Sequence, residues 1–403
     1  MYKLAILNTH PVQYLAPLYR RIAREPDIHL TVYFCSQQGA EEYVDEGFGQ
    51  RIRWDTPLLE GYEYKFLKDL WRRERVGGFW SLLNFGILGE LRKNRYDALL
   101  VNGHRQATTL IGVFAAKALG IPVFMRCETH LGLPVSRIKR FVRKRLMTFL
   151  YTRLCSACLP IGTRNREFYL AHGVNEASLF SVPYAVDNDF FAKASESLAE
   201  RRNLRAALQL PPDKPLVLFV SKLMSRKRPM DLMVAFHNVR NSGIDAALAF
   251  VGSGEQETDL KEYIRQQHLP DVHFFGFRNQ SELPKFYSVA DVFVLPSENE
   301  PWGVVINEVM CAGLPVIASN EIGAVDDLVR HGENGFTYKS ADVDTLTEYL
   351  SQALRAPEMR ARMGEESRRI IARWDYERCV LGIKQAMAKF PPDPSRGVES
   401  WVE

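Results

Sequence analysis

Short apolar strands and amphipathic helices alternate along this chain, and the alternation starts a second time after a proline-rich break. In the first half KLAILNT (3–9), HLTVYFCS (29–36), DALLVNG (97–103), IPVFMRC (121–127) and ACLPIG (157–162) have the unbroken apolar character of strands covered on both faces. Helical patterns over 107–119 and 137–154 lie between them. After PPDKP (211–215) come PLVLFVSK (215–222), AALAFVG (246–252), HFFGF (273–277), DVFVLPS (291–297) and LPVIASN (314–320), with helical patterns at 229–241 and 256–267. Strand–helix alternation requires parallel sheets joined by right-handed crossovers. Two runs of it in 403 residues predict an α/β chain of two Rossmann-like, doubly wound domains. The expected division is 1–185 and 186–373, a last helix over about 374–390 that packs back on the first domain, and a loose tail at 391–403.

The remaining bulk features exclude more than they assign. No apolar run reaches the length of a membrane span, since 109–125 is broken by Lys117. The start MYKLAILNTH has too short an apolar stretch for a secretory signal, so a cytoplasmic protein is expected. The six cysteines are scattered. Cys155 and Cys158 form a lone CxxC without a second ligand pair, which fits two small residues of a buried strand better than zinc or redox chemistry. Net charge is +4, yet residues 1–185 hold 26 Lys and Arg against 16 Asp and Glu. The first half is therefore suited to something anionic. Nucleic acid is disfavoured, because aromatic residues do not interleave with the basic ones.

Ligands of doubly wound sheets bind at the carboxyl ends of the strands, so the candidate chemistry lies at those ends. Glu300 follows the strand DVFVLPS. A helix expected to begin at Trp302 or Gly303 would leave its first N–H groups turned toward an anion. At about 100° per residue, Glu308 falls on the same face as Val304, Val305 and Ala312, so its carboxylate points inward and needs a partner. A ligand diol and a basic residue from elsewhere both satisfy that need. Lys222, Arg226, Lys227 and Arg228 cluster at another strand end, suited to a diphosphate or to solvent. Gly252 and Gly254 form GxG without the third glycine of a dinucleotide fingerprint, and no phosphate-binding GxxxxGK[ST] sequence occurs.

Taken together, ENEPWGVVINEVMCAGLPVIAS, SKLMSRKRP, VGSGEQETDL, HFFGFRNQSELPKFYSVADVFVLPS and EIGAVDDLVRHGENGFTY cover 215–340 almost continuously. They resemble the retaining glycosyltransferases of family 4 (the bacterial group 1 enzymes), which have the GT-B fold with two Rossmann-like domains facing a central cleft. The resemblance implies a UDP- or GDP-sugar co-substrate held by the second domain, with no metal. It gives Glu300 the sugar hydroxyls and Glu308 the ribose. Lys222, Lys227 and the N–H groups of Gly303, Val304 and Val305 would meet the diphosphate. Phe277 and Arg278 would flank the base, with Gly252 and Trp302 beside the donor.

The first half departs from the family pattern. NTHPVQYLAP replaces a glycine-rich loop, and Glu128 stands where many members have an active-site histidine. Glu128 fits a base or donor-orienting group, or an ion pair with Arg126. His10, His104 and His130 are the other acceptor-side candidates. The helix over 137–154 has six basic residues among 137–145 and an apolar stripe. It fits either an anionic membrane surface, leaving the protein peripheral on the inner face of the plasma membrane, or a core face with solvated charges. The implied activity is hexosyl transfer to a hydroxyl of a glycan, lipid-linked or small-molecule acceptor, in cell-envelope polysaccharide or glycoconjugate synthesis. A sugar-nucleotide epimerase and a non-catalytic nucleotide-sugar-binding subunit are the alternatives.

Overall fold

The computed structural model describes residues 1–70, 76–133, 137–192 and 198–392. Fourteen strands are present among them: β1 (Tyr2–Asn8), β2 (Ile28–Phe34), β3 (Tyr43–Asp45), β4 (Gln50–Ile52), β5 (Glu63–Phe66), β6 (Ala98–Asn102), β7 (Val123–Arg126), β8 (Ala157–Cys158), β9 (Leu216–Val220), β10 (Ala247–Val251), β11 (Val272–Phe274), β12 (Val292–Leu295), β13 (Val316–Ser319) and β14 (Gly335–Tyr338). Two six-stranded sheets have the orders β5-β2-β1-β6-β7-β8 and β11-β10-β9-β12-β13-β14. The pairings within them are parallel. Counted within its own sheet, each order reads 3-2-1-4-5-6, the doubly wound order whose direction of winding reverses between the first and fourth strands. In the second sheet that reversal lies between β9 and β12.

The chain separates into two compact units. One comprises Met1–Tyr43, Pro57–Tyr184 and Tyr376–Glu403; the other comprises Val44–Thr56 and Ala185–Asp375. Residues 44–56 were expected with the first domain and fold instead with the second. They carry most of the β3–β4 hairpin, in which Gly49, at φ +67°, donates its N–H to the Asp45 carbonyl.

Each unit is built around apolar strands covered on both faces. β1 and β6 bury Leu4, Ile6, Leu7, Leu99 and Val101, while β9, β10 and β12 bury Leu218, Phe219, Phe250, Phe293 and Leu295. The helix Tyr376–Lys389 fastens to the first unit. Glu377 takes a bidentate pair from Arg21, Lys384 pairs with Glu25 and Asp27, and Gly382 lies against the Ser181 carbonyl, where a Cβ would come within 1.9 Å. Of the expected loose tail, residues 393–403 lie outside the described residues.

Two helix limits differ from expectation. The pattern over 137–154 is α-helical for Arg137–Phe149 and widens to a π turn at Leu150–Leu154. The helix after Glu300 spans only Val305–Cys311. Its delay follows from the loop before it. Gly303 adopts φ +90°, and Gly323 and Ala324 donate to the carbonyls of Glu300 and Trp302 at 2.9 Å each, holding 300–304 out of helical geometry.

Candidate functional site

The loops after β9 and β12, on either side of the winding reversal, bring the basic run together with Glu298 and Glu300. After β9 the chain makes a 3-10 turn at Ser225–Lys227 and enters the helix Pro229–Asn241 through Arg228, held at φ +49°. Glu298, from the β12 loop, donates its N–H to the Arg226 carbonyl at 2.9 Å, locking the two loops side by side. Glu300 receives Arg226 Nη1 at 2.9 Å and also Lys227 Nζ. Arg228 is divided between Asp231 at 2.7 Å and Glu298 at 3.1 Å, so its role is to brace the helix start. Burial pulls the Lys227 ammonium below the ordinary lysine range, against the attraction of Glu300. The cations are thus gathered around carboxylates, with Lys227 largely out of water.

Glu308 is 7% exposed, facing inward as expected. The expected alternatives for its partner were a ligand diol or a basic residue; the group present is Tyr287, whose hydroxyl donates to Glu308 Oε2 at 2.5 Å. Burial pushes the Glu308 carboxyl up to about 7, with the Tyr287 bond opposing. Sequence reasoning missed Tyr287, because a residue of another helix carries no local signal of proximity.

Several other donor-side candidates are tied into the same surface. Gly252 adopts φ +133°, and a Cβ there would stand 1.9 Å from the Ser221 carbonyl, so glycine lets the β9 and β10 ends approach. Its N–H donates to the Gly276 carbonyl at 2.8 Å. Arg278 bonds the Phe275 carbonyl at 3.0 Å and Glu282 at 3.3 Å. Phe277 meets Phe48 edge-on at 4.8 Å between ring centroids. Gly303, Val304 and Val305 form the turn into the helix, whose first internal bonds run from Ile306 N to Gly303 O and from Asn307 N to Val304 O. Trp302 was expected beside the donor. Its indole is buried against Trp374, 5.5 Å away, and donates to Asn307 at 2.9 Å, so it holds the loop from within.

Lys222 is engaged by a residue that sequence reasoning did not consider. Its Nζ lies 2.6 Å from Asp45 Oδ1 and 4.7 Å from the Phe48 ring centroid. The signal available was VDEGFGQ, two glycines between strand-forming residues, a hairpin pattern.

In the first unit Glu128 accepts from the Tyr184 hydroxyl, and the guanidinium of the buried Arg126 stands over that same ring at 4.9 Å. His10 Nδ1 is 2.9 Å from Thr9 Oγ1, and burial lowers the His10 pKa to about 4. His104 Nδ1 is 3.2 Å from the Tyr151 hydroxyl, and burial, aided by Arg143 and Arg105, likewise lowers its pKa to about 4. His130 is buried and accepts the Gly132 N–H at 3.1 Å. These histidines belong to turns and core networks at three separate strand ends. Cys158 is buried in β8 and Cys155 partly buried, both as free thiols.

The apolar stripe of the helix Arg137–Phe149 is divided, with Met147 and the following Leu150 packed at the core and the rest of its described side chains turned out. Phe141, Val142, Leu146 and Phe149 are all exposed, Phe141 to 63% and Leu146 to 57%, with Lys144 and Arg145 exposed beside them.

Residues 200–370 match the family model of glycosyl transferases group 1. Among curated relatives, the sulfoquinovosyl transferase SQD2 of Arabidopsis thaliana is 26% identical over 306 residues, 74% of this chain and 58% of that protein. The GDP-mannose-dependent alpha-(1-6)-phosphatidylinositol monomannoside mannosyltransferase of Mycobacterium tuberculosis is 31% identical over 210 residues, 50% of this chain and 53% of that protein. The chain thus spans little more than half the length of these relatives. Among solved structures, Anabaena Alr3699/HepE in complex with UDP and glucose superposes with a TM-score of 0.72, covering 96% of this chain and 100% of that one at 18% identity. The fold is GT-B. No helix among the described residues is long and apolar enough to cross a membrane.

Proposed function

We propose that the protein is a metal-independent retaining glycosyltransferase. It moves a sugar from a UDP- or GDP-linked donor to a hydroxyl of a glycan or lipid-linked acceptor. The observation that carries this reading is the meeting of Arg226 and Lys227 with Glu300 at the winding reversal of the second sheet, with Lys222 at the same strand end, inside the stretch that matches the group 1 family model. Cations there offset the charge that grows on the departing nucleoside diphosphate, the contribution expected to lower the barrier most. Glu300 holds two of those cations when no donor is bound. With the diphosphate taking them over, the carboxylate is free to accept from hydroxyls of the transferred sugar. Glu308, fixed by Tyr287, retains an oxygen for the ribose diol. One curated relative is named as a mannosyltransferase of phosphatidylinositol monomannoside, which supports a lipid-linked acceptor.

The outward apolar stripe of the helix Arg137–Phe149, among basic residues, supports docking on an anionic membrane surface where such an acceptor resides. Phenylalanine and leucine on the outer face enter the acyl boundary, and Lys144 and Arg145 meet the headgroups.

The test is incubation with a panel of nucleotide sugars, with and without cell-envelope extract, followed by mass spectrometry. Transfer needs donor and acceptor together. Donor conversion without acceptor would establish an epimerase instead, and the absence of both turnover and binding would refute the enzyme. Glu308→Ala should weaken nucleotide binding, whereas Glu300→Ala should slow transfer far more than it weakens binding.

A further inference from the structure

The segment Val44–Thr56 is fastened along the strand ends that the proposed donor would occupy. Ser253 Oγ, beyond β10, donates to the Phe48 carbonyl at 2.9 Å. Asn279, beyond β11, donates to the Arg53 carbonyl at 2.7 Å and accepts the Asp55 N–H at 3.3 Å. Phe48 and Trp54 both pack on Phe277, at 4.8 and 6.0 Å between ring centroids. Gly47 lies directly on the Lys222 side chain, where a Cβ would come within 2.6 Å of Cδ and 2.8 Å of Nζ. At the tip, one oxygen, Asp45 Oδ1, accepts from Gly47 N at 2.9 Å, Phe48 N at 3.1 Å and Lys222 Nζ at 2.6 Å. The hairpin therefore brings a carboxylate, preorganised by two backbone N–H groups, onto the first cation of the basic cluster.

We infer that Asp45 is the counter-ion which Lys222 exchanges for the donor's diphosphate, so that Asp45 is a positioning residue and segment 44–56 a strap that must let go for the donor to bind. The inference rests on the reading of this surface as the donor site. Its physical basis is like-charge exclusion. A diphosphate against Lys222 Nζ would stand within a few ångströms of the Asp45 carboxylate, and in partly desolvated surroundings two anions cannot share that cation without large cost. While the strap is down, Lys222 is neutralised, Phe277 is covered, and the cation is held extended at the place where the phosphate arrives. Binding then includes the free energy of strap release, so the apparent affinity is lowered by the fraction of molecules in which the strap is open.

Asp45→Asn separates charge from structure, because the amide oxygen still accepts from Gly47 and Phe48 and the turn survives. Titration calorimetry with UDP and with GDP should give a Kd about 5–20-fold lower for Asp45→Asn than for the unmodified protein, with melting temperatures alike. Hydrogen exchange on the unmodified protein gives a second, independent reading: saturating UDP or GDP should speed exchange of the Asp55 and Ser281 amides, which bond between the strap and the body at 3.3 and 3.4 Å. Equal or weaker nucleotide binding by folded Asp45→Asn, or slower exchange at those amides, would overturn the strap while leaving the donor site standing. Failure of both proteins to bind either nucleotide would remove the donor site itself and the strap with it.

Discussion

Glu308 has a carboxyl whose surroundings oppose ionisation, and this makes it a reporter of pH. Its pKa rises from 4.5 to about 7 in the folded protein, through burial. Between those values the folded chain holds a proton that the unfolded chain has lost, so this group's contribution to stability falls as pH rises from about 4.5 to about 7. The full shift corresponds to roughly 3 kcal/mol. Urea unfolding at pH 5 and pH 7.5 should show a larger loss for the unmodified protein than for Glu308→Gln, which has no such proton; equal losses would contradict the assignment. The burial of Glu308 was legible from the apolar run it interrupts. Helical phase was a weak guide, since Val304 precedes the helix and Val304 and Val305 are only partly buried, while Ile306, Val309 and Met310 are buried. That a tyrosine twenty-one residues earlier would meet Glu308 was not legible, since the contact depends on how two helices pack. The packing of Trp302 on Trp374 was not legible either, because a loop side chain's direction is set by the loop, which the Gly323 and Ala324 bonds determine.

Among elements, the buried parallel strands were the most legible, because covering on both faces demands unbroken apolar runs. β8 keeps only two residues of a six-residue expectation, and the edge strand β5 has no apolar run, with Glu63, Tyr64 and Lys65 exposed. The junction of β9 and β10 depends on Gly252. Gly252→Ala combines a left-handed φ with a Cβ driven into the Ser221 carbonyl, and should cost roughly 2 kcal/mol or more, read from the urea midpoint. Because Ser221 adjoins Lys222, nucleotide affinity should fall as well. The helix Arg137–Phe149 poses the opposite case, since its stripe was legible but its direction was not. Leu146→Glu with Phe149→Glu should abolish co-sedimentation with vesicles rich in phosphatidylglycerol without lowering the melting temperature, as both side chains are exposed. A large fall in melting temperature would instead mean that the stripe is packed.

Over the whole molecule the two units share one winding order, yet neither is a continuous length of chain. The first is completed by the helix Tyr376–Lys389, which supplies the Glu377 pair to Arg21, the Lys384 pairs to Glu25 and Asp27, and the Tyr2 hydroxyl bond to the Phe390 carbonyl at 3.0 Å. Ending the chain at Asp375 would also uncover the surface on which Cys379, Val380, Ile383 and Ala386 are buried. Such a truncation should lower the melting temperature by many degrees or leave the chain insoluble.

The excursion of Val44–Thr56 into the second unit sets a rule for recombination. A chimera that exchanged the halves of two such proteins at residue 185 would leave this segment with the wrong parent, placing a foreign loop over Phe277 and a foreign side chain against Lys222. A graft meant to carry this unit's ligand preference intact has two pieces, 44–56 and 185–375, and the shorter one lies far upstream of where a cut would ordinarily be made.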